Sequence, residues 1–206
     1  MKIKKKVAII PARGGSKRLP QKNIMMLDNK QLLAHSINYA KANLNIIDEV
    51  YITTDNNAIK QIALNYGAKV INRPKAISGD LEPTITALKH ALTIIEDVEI
   101  LVLLQPTNPL RPKDLLKNAF NAFSKNNYDS LVTVSLNEKK LGKIKNGKFE
   151  PFTYKMGQRS QDLEPLYFEN GLLYISKASL INDNKILGSN NMPYIVNHPY
   201  ASVCLL

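Results

Sequence analysis

The chain carries a single cysteine, Cys204, and no tryptophan among its 206 residues. One thiol excludes any intrachain disulfide, and with it the stapled frameworks that hold small secreted domains together. No basic partner lies near Cys204 in sequence, so a nucleophilic thiol gains no support. Aromatic residues amount to only 7% and do not cluster, whereas single-stranded nucleic acid needs a stacking platform. Long apolar runs are missing as well. The longest compact one, Ile100-Leu101-Val102-Leu103-Leu104, is strand-sized and far short of a bilayer span. The basic start at Lys2, Lys4, Lys5 and Lys6 leads into only four apolar residues, 7–10, too few for a signal peptide. The histidines, His35, His90 and His198, stand apart without ligand spacing, which disfavours a metal site or a His-based triad. The expectation is a cytoplasmic protein that engages neither membrane nor nucleic acid.

What is present fits a globular chain: 44% hydrophobic and 22% charged residues are enough for one substantial core. The net charge of +11 comes from 28 basic and 17 acidic residues scattered along the chain. Without a basic helix or zinc-ligand spacing, that charge is compatible with small anionic ligands and decides nothing further. Hydrophobic periodicity alternates. Strands are predicted over 7–10, 50–53, 69–72, 100–104, 130–134 and 172–175. Helical stripes separate them at Leu33/Ile37/Ala40, Ile59/Ile62/Ala63/Tyr66, Ile85/Leu88/Leu92/Ile95 and Leu115/Leu116/Ala119/Phe120/Phe123. Gly67 is placed to stop the second helix and Pro112 to open the fourth. Such alternation predicts a three-layer α/β fold, mostly parallel and Rossmann-like, with helices on both faces. Residues 136–161 break the rhythm, being polar and Lys/Gly-rich with a turn at Lys145-Asn146-Gly147-Lys148. They read as an inserted arm within one domain spanning 1–206.

Ligands of such folds bind outside the carboxyl ends of the strands, and the unusual residues fall in those loops. Residues 11–23 place Gly14 and Gly15 among Arg13, Lys17, Arg18 and Lys22 immediately after a strand. Glycines let backbone N–H groups approach an anion, Arg offers a planar fork for two phosphate oxygens, and Lys brings a mobile point charge. The loop is neither a P-loop nor a dinucleotide fingerprint. Asp55 is assigned to capping the helix that follows it.

The string Ile9-Ile10-Pro11-Ala12-Arg13-Gly14-Gly15-Ser16-Lys17-Arg18-Leu19-Pro20-Gln21-Lys22-Asn23 resembles the signature of bacterial CMP-sialic acid synthetases (acylneuraminate cytidylyltransferases). The likeness continues, in order, through Thr53-Thr54-Asp55, Asn72-Arg73-Pro74, Leu104-Gln105-Pro106-Thr107-Asn108-Pro109-Leu110-Arg111 and Glu169-Asn170-Gly171. It implies the fold of nucleotide-diphospho-sugar transferases. It also implies a reaction in which the anomeric hydroxyl of a nonulosonic acid attacks the α-phosphorus of CTP, giving a CMP-sugar and pyrophosphate. The alternatives are a related CMP-Kdo or sugar-phosphate nucleotidyltransferase, or a nucleotide-binding remnant of such an enzyme.

By the resemblance Arg13 and Lys22 are the catalytic candidates, holding the CTP phosphates and stabilising charge on the transferring group. Ala12, Gly14, Gly15 and Ser16 would add backbone or hydroxyl contacts to the nucleotide, and Asn23 would order the loop. Arg73, Ser78 and Asp80 complete the nucleotide side. Gln105, Asn170 and Tyr174 fall near the sugar, and Arg159 is the candidate cation for its carboxylate. The family also implies Mg²⁺, held by an Asp-Ile-Asp run after the segment matching residues 197–203, and a homodimer joined through the arm. Here Val203 is followed by Cys204-Leu205-Leu206. The expectation is therefore a truncated C-terminus, no metal ligands there and impaired activity.

Overall fold

A computed structural model describes residues 3–17, 19–201 and 203. Its frame is a seven-stranded sheet in the order β11-β7-β10-β6-β1-β4-β5. The strands are β1 (Lys5–Pro11), β4 (Glu49–Thr54), β5 (Lys69–Asn72), β6 (Val98–Leu103), β7 (Ser130–Asn137), β10 (Leu166–Lys177) and β11 (Asn191–Ile195). The pairs β1–β4, β4–β5, β1–β6 and β7–β11 are parallel, and β10 alone runs against its neighbours β6 and β7. Between β1 and the helix α1 (Leu32–Lys41) lie the glycine-containing loop of residues 12–23 and a two-stranded ribbon, β2 (Met26–Leu27) and β3 (Lys30–Gln31). The other helices are α2 (Asn57–Asn65), α3 (Thr84–Leu92), α4 (Leu115–Lys125) and the short α5 (Ala178–Asn182).

The two faces of β1 and β6 are sorted by the period of a pleated strand. Ala8, Ile10, Ile100, Val102 and Leu104 turn toward Leu33 and Ile37 of α1, Ile59 of α2, and Leu116 and Ala119 of α4. Val7, Ile9, Leu101 and Leu103 turn the other way, toward Leu88 and Ala91 of α3 and Ile181 of α5. A strand with both faces covered carries no polar residue in its middle, which is why these segments read as unbroken apolar runs. Each fully buried Leu or Ile contributes about 1.5–3 kcal/mol. The parallel sheet with helices on both faces is the predicted architecture.

The sequence reading lacks α5 and β11, and several boundaries differ: α3 ends at Leu92, short of Ile95, and β7 runs to Asn137, into the predicted arm. Pro112 lies three residues ahead of α4, its carbonyl accepting from Leu115 N–H in a turn, so the helix starts at Leu115. β10 is much longer than the apolar stretch 172–175, because its first half pairs with β7 while its side chains stay exposed. Within the predicted arm, β8 (Gly142–Lys145) and β9 (Lys148–Pro151) form an antiparallel hairpin. Asn146 and Gly147, with φ of 51° and 74°, make its two-residue turn, the geometry that suits the twist of a hairpin.

Candidate active site

Parallel order places the carboxyl ends of β1, β4, β5 and β6 along one edge of the sheet. The chain leaves β1 with β4 on one side and β6 on the other, which opens a crevice at the switch point. A cleft of about 290 Å³ occupies it, with Arg13, Ser16, Lys22, Arg73, Asp80 and Gln105 among its lining. Asn23 and Ser78 also face it. A second cleft of about 480 Å³ adjoins it, sharing Pro83, Thr84 and Gln105 and adding Glu169 and Tyr174. Gln105 therefore stands at the junction of the two.

Loop 12–23 is anchored at its start. Ala12 is fully buried and its N–H donates to Thr53 O at 3.0 Å, so that donor is already spent. The Gly14 N–H donates to Asp55 Oδ1 at 2.9 Å, and Asn23 Nδ2 donates to Arg13 O at 3.0 Å. The capping role expected for Asp55 belongs instead to Asn56, whose Oδ1 accepts from Ile59 N–H at 3.1 Å. The residue next to the helix can reach that amide, which leaves Asp55 to hold the loop. A methyl group added at Gly14 would lie 2.6 Å from Asn56 Nδ2 and 2.8 Å from Asn56 Cβ, whereas one at Gly15 would meet nothing within 4 Å. Gly14→Ala is thus expected to cost about 1–3 kcal/mol by overpacking, and Gly15→Ala close to nothing. Urea denaturation of the two variants checks the contrast, and equal midpoints would remove the packing argument.

The electrostatics are cationic and unevenly satisfied. Arg13 Nη1 donates to Gly79 O at 2.7 Å and pairs with Asp80 Oδ1 at 2.8 Å, while Lys17 Nζ pairs with Asp80 Oδ2 at 2.9 Å. The Lys17 hydrogen bond, helped by Arg13, holds the Asp80 carboxyl below its usual range. Arg73 is 8% exposed, and its Nε and Nη2 have no hydrogen-bond partner. Burial lowers its pKa, with Arg13 adding to the effect and Asp55 opposing it. A buried guanidinium with two unmet donors is costly in the free protein, and the same side chain adds positive charge to the wall of the cleft.

On the second cleft, Tyr174 OH donates to Glu169 Oε2 at 2.9 Å, and burial, reinforced by Glu169, raises the phenol pKa. Asn170 is 5% exposed with its amide committed. Its Nδ2 donates to Ser135 Oγ at 3.0 Å, and its Oδ1 accepts from Thr133 Oγ1 at 2.6 Å and from Leu172 N–H at 3.1 Å. Those bonds pin a break in β10 register between Glu169 and Tyr174. Gly171 sits in that break at φ 72°, where a Cβ would come within 2.9 Å of Gln105 Oε1 and Asn108 Oδ1. Arg159 lies on the arm, bonded to Asp162 Oδ2 at 2.7 Å and Oδ1 at 3.0 Å, and lines neither cleft. Gly15 also lines neither.

Arg111 entered the sequence reading only inside a matched block, yet it ties the site together. Its Nε donates to Leu172 O at 2.6 Å, Nη1 to Ser36 Oγ at 2.9 Å and Nη2 to Gln105 O at 2.7 Å. Burial lowers its pKa to about 10, which still leaves it charged at neutral pH. As for a divalent cation, no group of three or more His, Cys, Asp or Glu gathers among the described residues. Both Asp80 oxygens face cations, and one Asp55 oxygen accepts from Gly14. That donor set does not fit Mg²⁺ as a site built by the protein alone. The segment after Val203 lies outside the described residues.

A cationic loop at the switch point of a mostly parallel sheet, beside a second cleft, defines an α/β protein of Rossmann-like type. The family follows from comparison: a family model described as Cytidylyltransferase matches residues 7–180, and the chain belongs to that family. It is 33% identical over 197 residues to the N-acylneuraminate cytidylyltransferase of Streptococcus agalactiae serotype III (strain NEM316), covering 92% of this chain and 48% of that protein. It is 36% identical over 191 residues to the pseudaminic acid cytidylyltransferase of Campylobacter jejuni subsp. jejuni serotype O:23/36 (strain 81-176), covering 87% and 82%. The chain thus spans about half the length of the streptococcal relative it matches. Among solved structures, a CMP:2-keto-3-deoxy-manno-octonic acid synthetase complexed with CTP superposes with a TM-score of 0.69 at 18% identity, covering 93% of this chain and 90% of the other.

Proposed function

We propose that the chain transfers CMP from CTP to the anomeric hydroxyl of a sialic-acid-type nonulosonic acid and releases pyrophosphate. The observation that carries this reading is Arg73, a buried guanidinium that lines the same cleft as Arg13, Ser16 and Lys22 and whose Nε and Nη2 have no hydrogen-bond partner. The sugar hydroxyl attacks the α-phosphorus and loses its proton to solvent, the bond to the pyrophosphate oxygen breaks, and no covalent enzyme intermediate is needed. Arg13 and Lys22 supply fixed positive charge where the leaving group develops, which favours the transition state over the ground state. Gln105, at the meeting of the clefts, can both donate to and accept from a polyhydroxylated acceptor. The names of the streptococcal and Campylobacter relatives support a nonulosonic acid as that acceptor.

The proposal extends to a cytoplasmic homodimer joined through the arm, on which Ile144, Phe149, Phe152 and Met156 are exposed. Mg²⁺, when bound, would neutralise phosphate charge; no residue named above is assigned to hold it. The test is pyrophosphate release from CTP by the purified chain with N-acetylneuraminate, pseudaminate, Kdo or glucose 1-phosphate, in buffer containing Mg²⁺. Release with a nine-carbon acid above the level with Kdo is expected. Release with Kdo or glucose 1-phosphate alone, or with none of the acceptors, would overturn the reading.

A further inference from the structure

In the free protein two cations of the loop after β1, Arg13 and Lys17, already hold an anion. Asp80 sits on the segment between β5 and α3 and bridges Arg13 through Oδ1 and Lys17 through Oδ2, at 2.8 and 2.9 Å. The carbonyl of the preceding residue, Gly79, accepts from Arg13 Nη1 at 2.7 Å. Two acceptor atoms of adjacent residues thus meet one guanidinium, and a carboxylate oxygen is aimed at each cation. A phosphate group would present its oxygens to the same donors in much the same way. Arg13 and Asp80 both line the first cleft, so the bridge stands where a polyphosphate would be received.

We propose that Asp80 is a resident competitor for the polyphosphate: it occupies Arg13 and Lys17 when the cleft is empty, yields them to CTP, and takes them back as pyrophosphate leaves. The proposal rests on the cytidylyltransferase reading above. Its physical basis is a balance. A carboxylate carries one charge against the several of a triphosphate, so the ligand wins the exchange. The bridge nevertheless lowers the net affinity of any ligand that must break it. The side chains of Arg13 and Asp80 are 33% and 28% accessible and that of Lys17 is 86% accessible, so solvent screens the pairs and the opposing term stays modest. A modest term is what release requires, because pyrophosphate held by unopposed cations would dissociate slowly. Removing the carboxylate also removes its repulsion of the incoming phosphates, which acts in the same direction.

The test is titration calorimetry of the full chain with sodium pyrophosphate and with CTP, for the parent, Asp80→Asn and the neighbouring loop variant Leu81→Ser. Asp80→Asn keeps the shape of the side chain. Leu81 is 98% exposed, so Leu81→Ser controls for disturbance of the segment. Asp80→Asn is expected to bind pyrophosphate about three- to tenfold more tightly at low salt, with the gain shrinking as ionic strength rises. Its dissociation should slow in stopped-flow displacement, and Leu81→Ser should match the parent. Unchanged or weaker pyrophosphate binding by Asp80→Asn, with the parent binding CTP normally, overturns this role for Asp80 and leaves the cytidylyltransferase reading intact. If the parent binds neither CTP nor pyrophosphate, both fall.

Discussion

Arg73→Met is expected to lose about a hundred- to ten-thousandfold in kcat/KM for CTP-dependent turnover, while the free protein becomes no less stable than the parent. The two halves of that result have one cause. Arg73 is 8% exposed, and its Nε and Nη2 point to no acceptor. Each such buried donor costs the free protein about 1–3 kcal/mol, and a hydrogen bond to a charged group returns about 1.5–3 kcal/mol when an acceptor arrives. Methionine fills similar volume without donors, so the penalty disappears and the ligand loses the positive charge that Arg73 brings to the cleft wall. The backbone is undisturbed, because the link from Arg73 N–H to Thr54 O at 2.7 Å does not involve the side chain. Arg73→Lys should recover only part of the activity, a point charge replacing a fork. CTP calorimetry beside a thermal melt checks both halves. A melting temperature several degrees lower with CTP affinity unchanged would show Arg73 to be a structural residue instead.

The layout of the site could be read from the sequence because two periodicities and one rule of parallel sheets decide it. Runs such as 7–10 and 100–104 are apolar throughout because both faces of β1 and β6 are covered, and the loops after them must then meet at one edge. Arg13, Lys22 and Gln105 accordingly arrive in one cleft, and Arg73, singled out only by the family resemblance, joins them there. What stayed hidden was partner choice across distance. Arg13 bonds Gly79, 66 positions away, and Arg111 reaches Leu172 and Ser36, 61 and 75 positions away. No local pattern marks such pairs. Asp55 and Asn56 show the limit at short range as well: both are capping residue types, and the start of α2 at Asn57 gives the role to Asn56 and leaves Asp55 for Gly14. Asn170 belongs with these. The family resemblance puts it near the sugar, yet it lines neither cleft, and its commitment to Ser135, Thr133 and Leu172 depends on a register break that no composition records.

Arg111→Met is expected to carry the largest stability loss, about 3–5 kcal/mol, equivalent to a melting temperature lower by roughly 6–20 °C for a chain of this size. Arg111 resembles Arg73 in burial and differs in satisfaction. It is 9% exposed, it donates to Leu172 O, Ser36 Oγ and Gln105 O, and its guanidinium carbon lies 5.7 Å from the Tyr39 ring centroid. Those acceptors belong to β10, α1 and the loop after β6, so one side chain cross-ties three parts of the fold. Truncation leaves two carbonyls and a hydroxyl in a buried place without their donor, which costs more than the arginine's own desolvation returns. Arg111→Lys should restore little, since a single ammonium cannot span the three directions of the fork. Because Gln105 lines both clefts, any folded fraction of the variant should also show a raised KM for the acceptor. Thermal and urea melts of the two variants decide the matter, and a Lys variant as stable as the parent would show that charge alone, not the three-way geometry, holds the site.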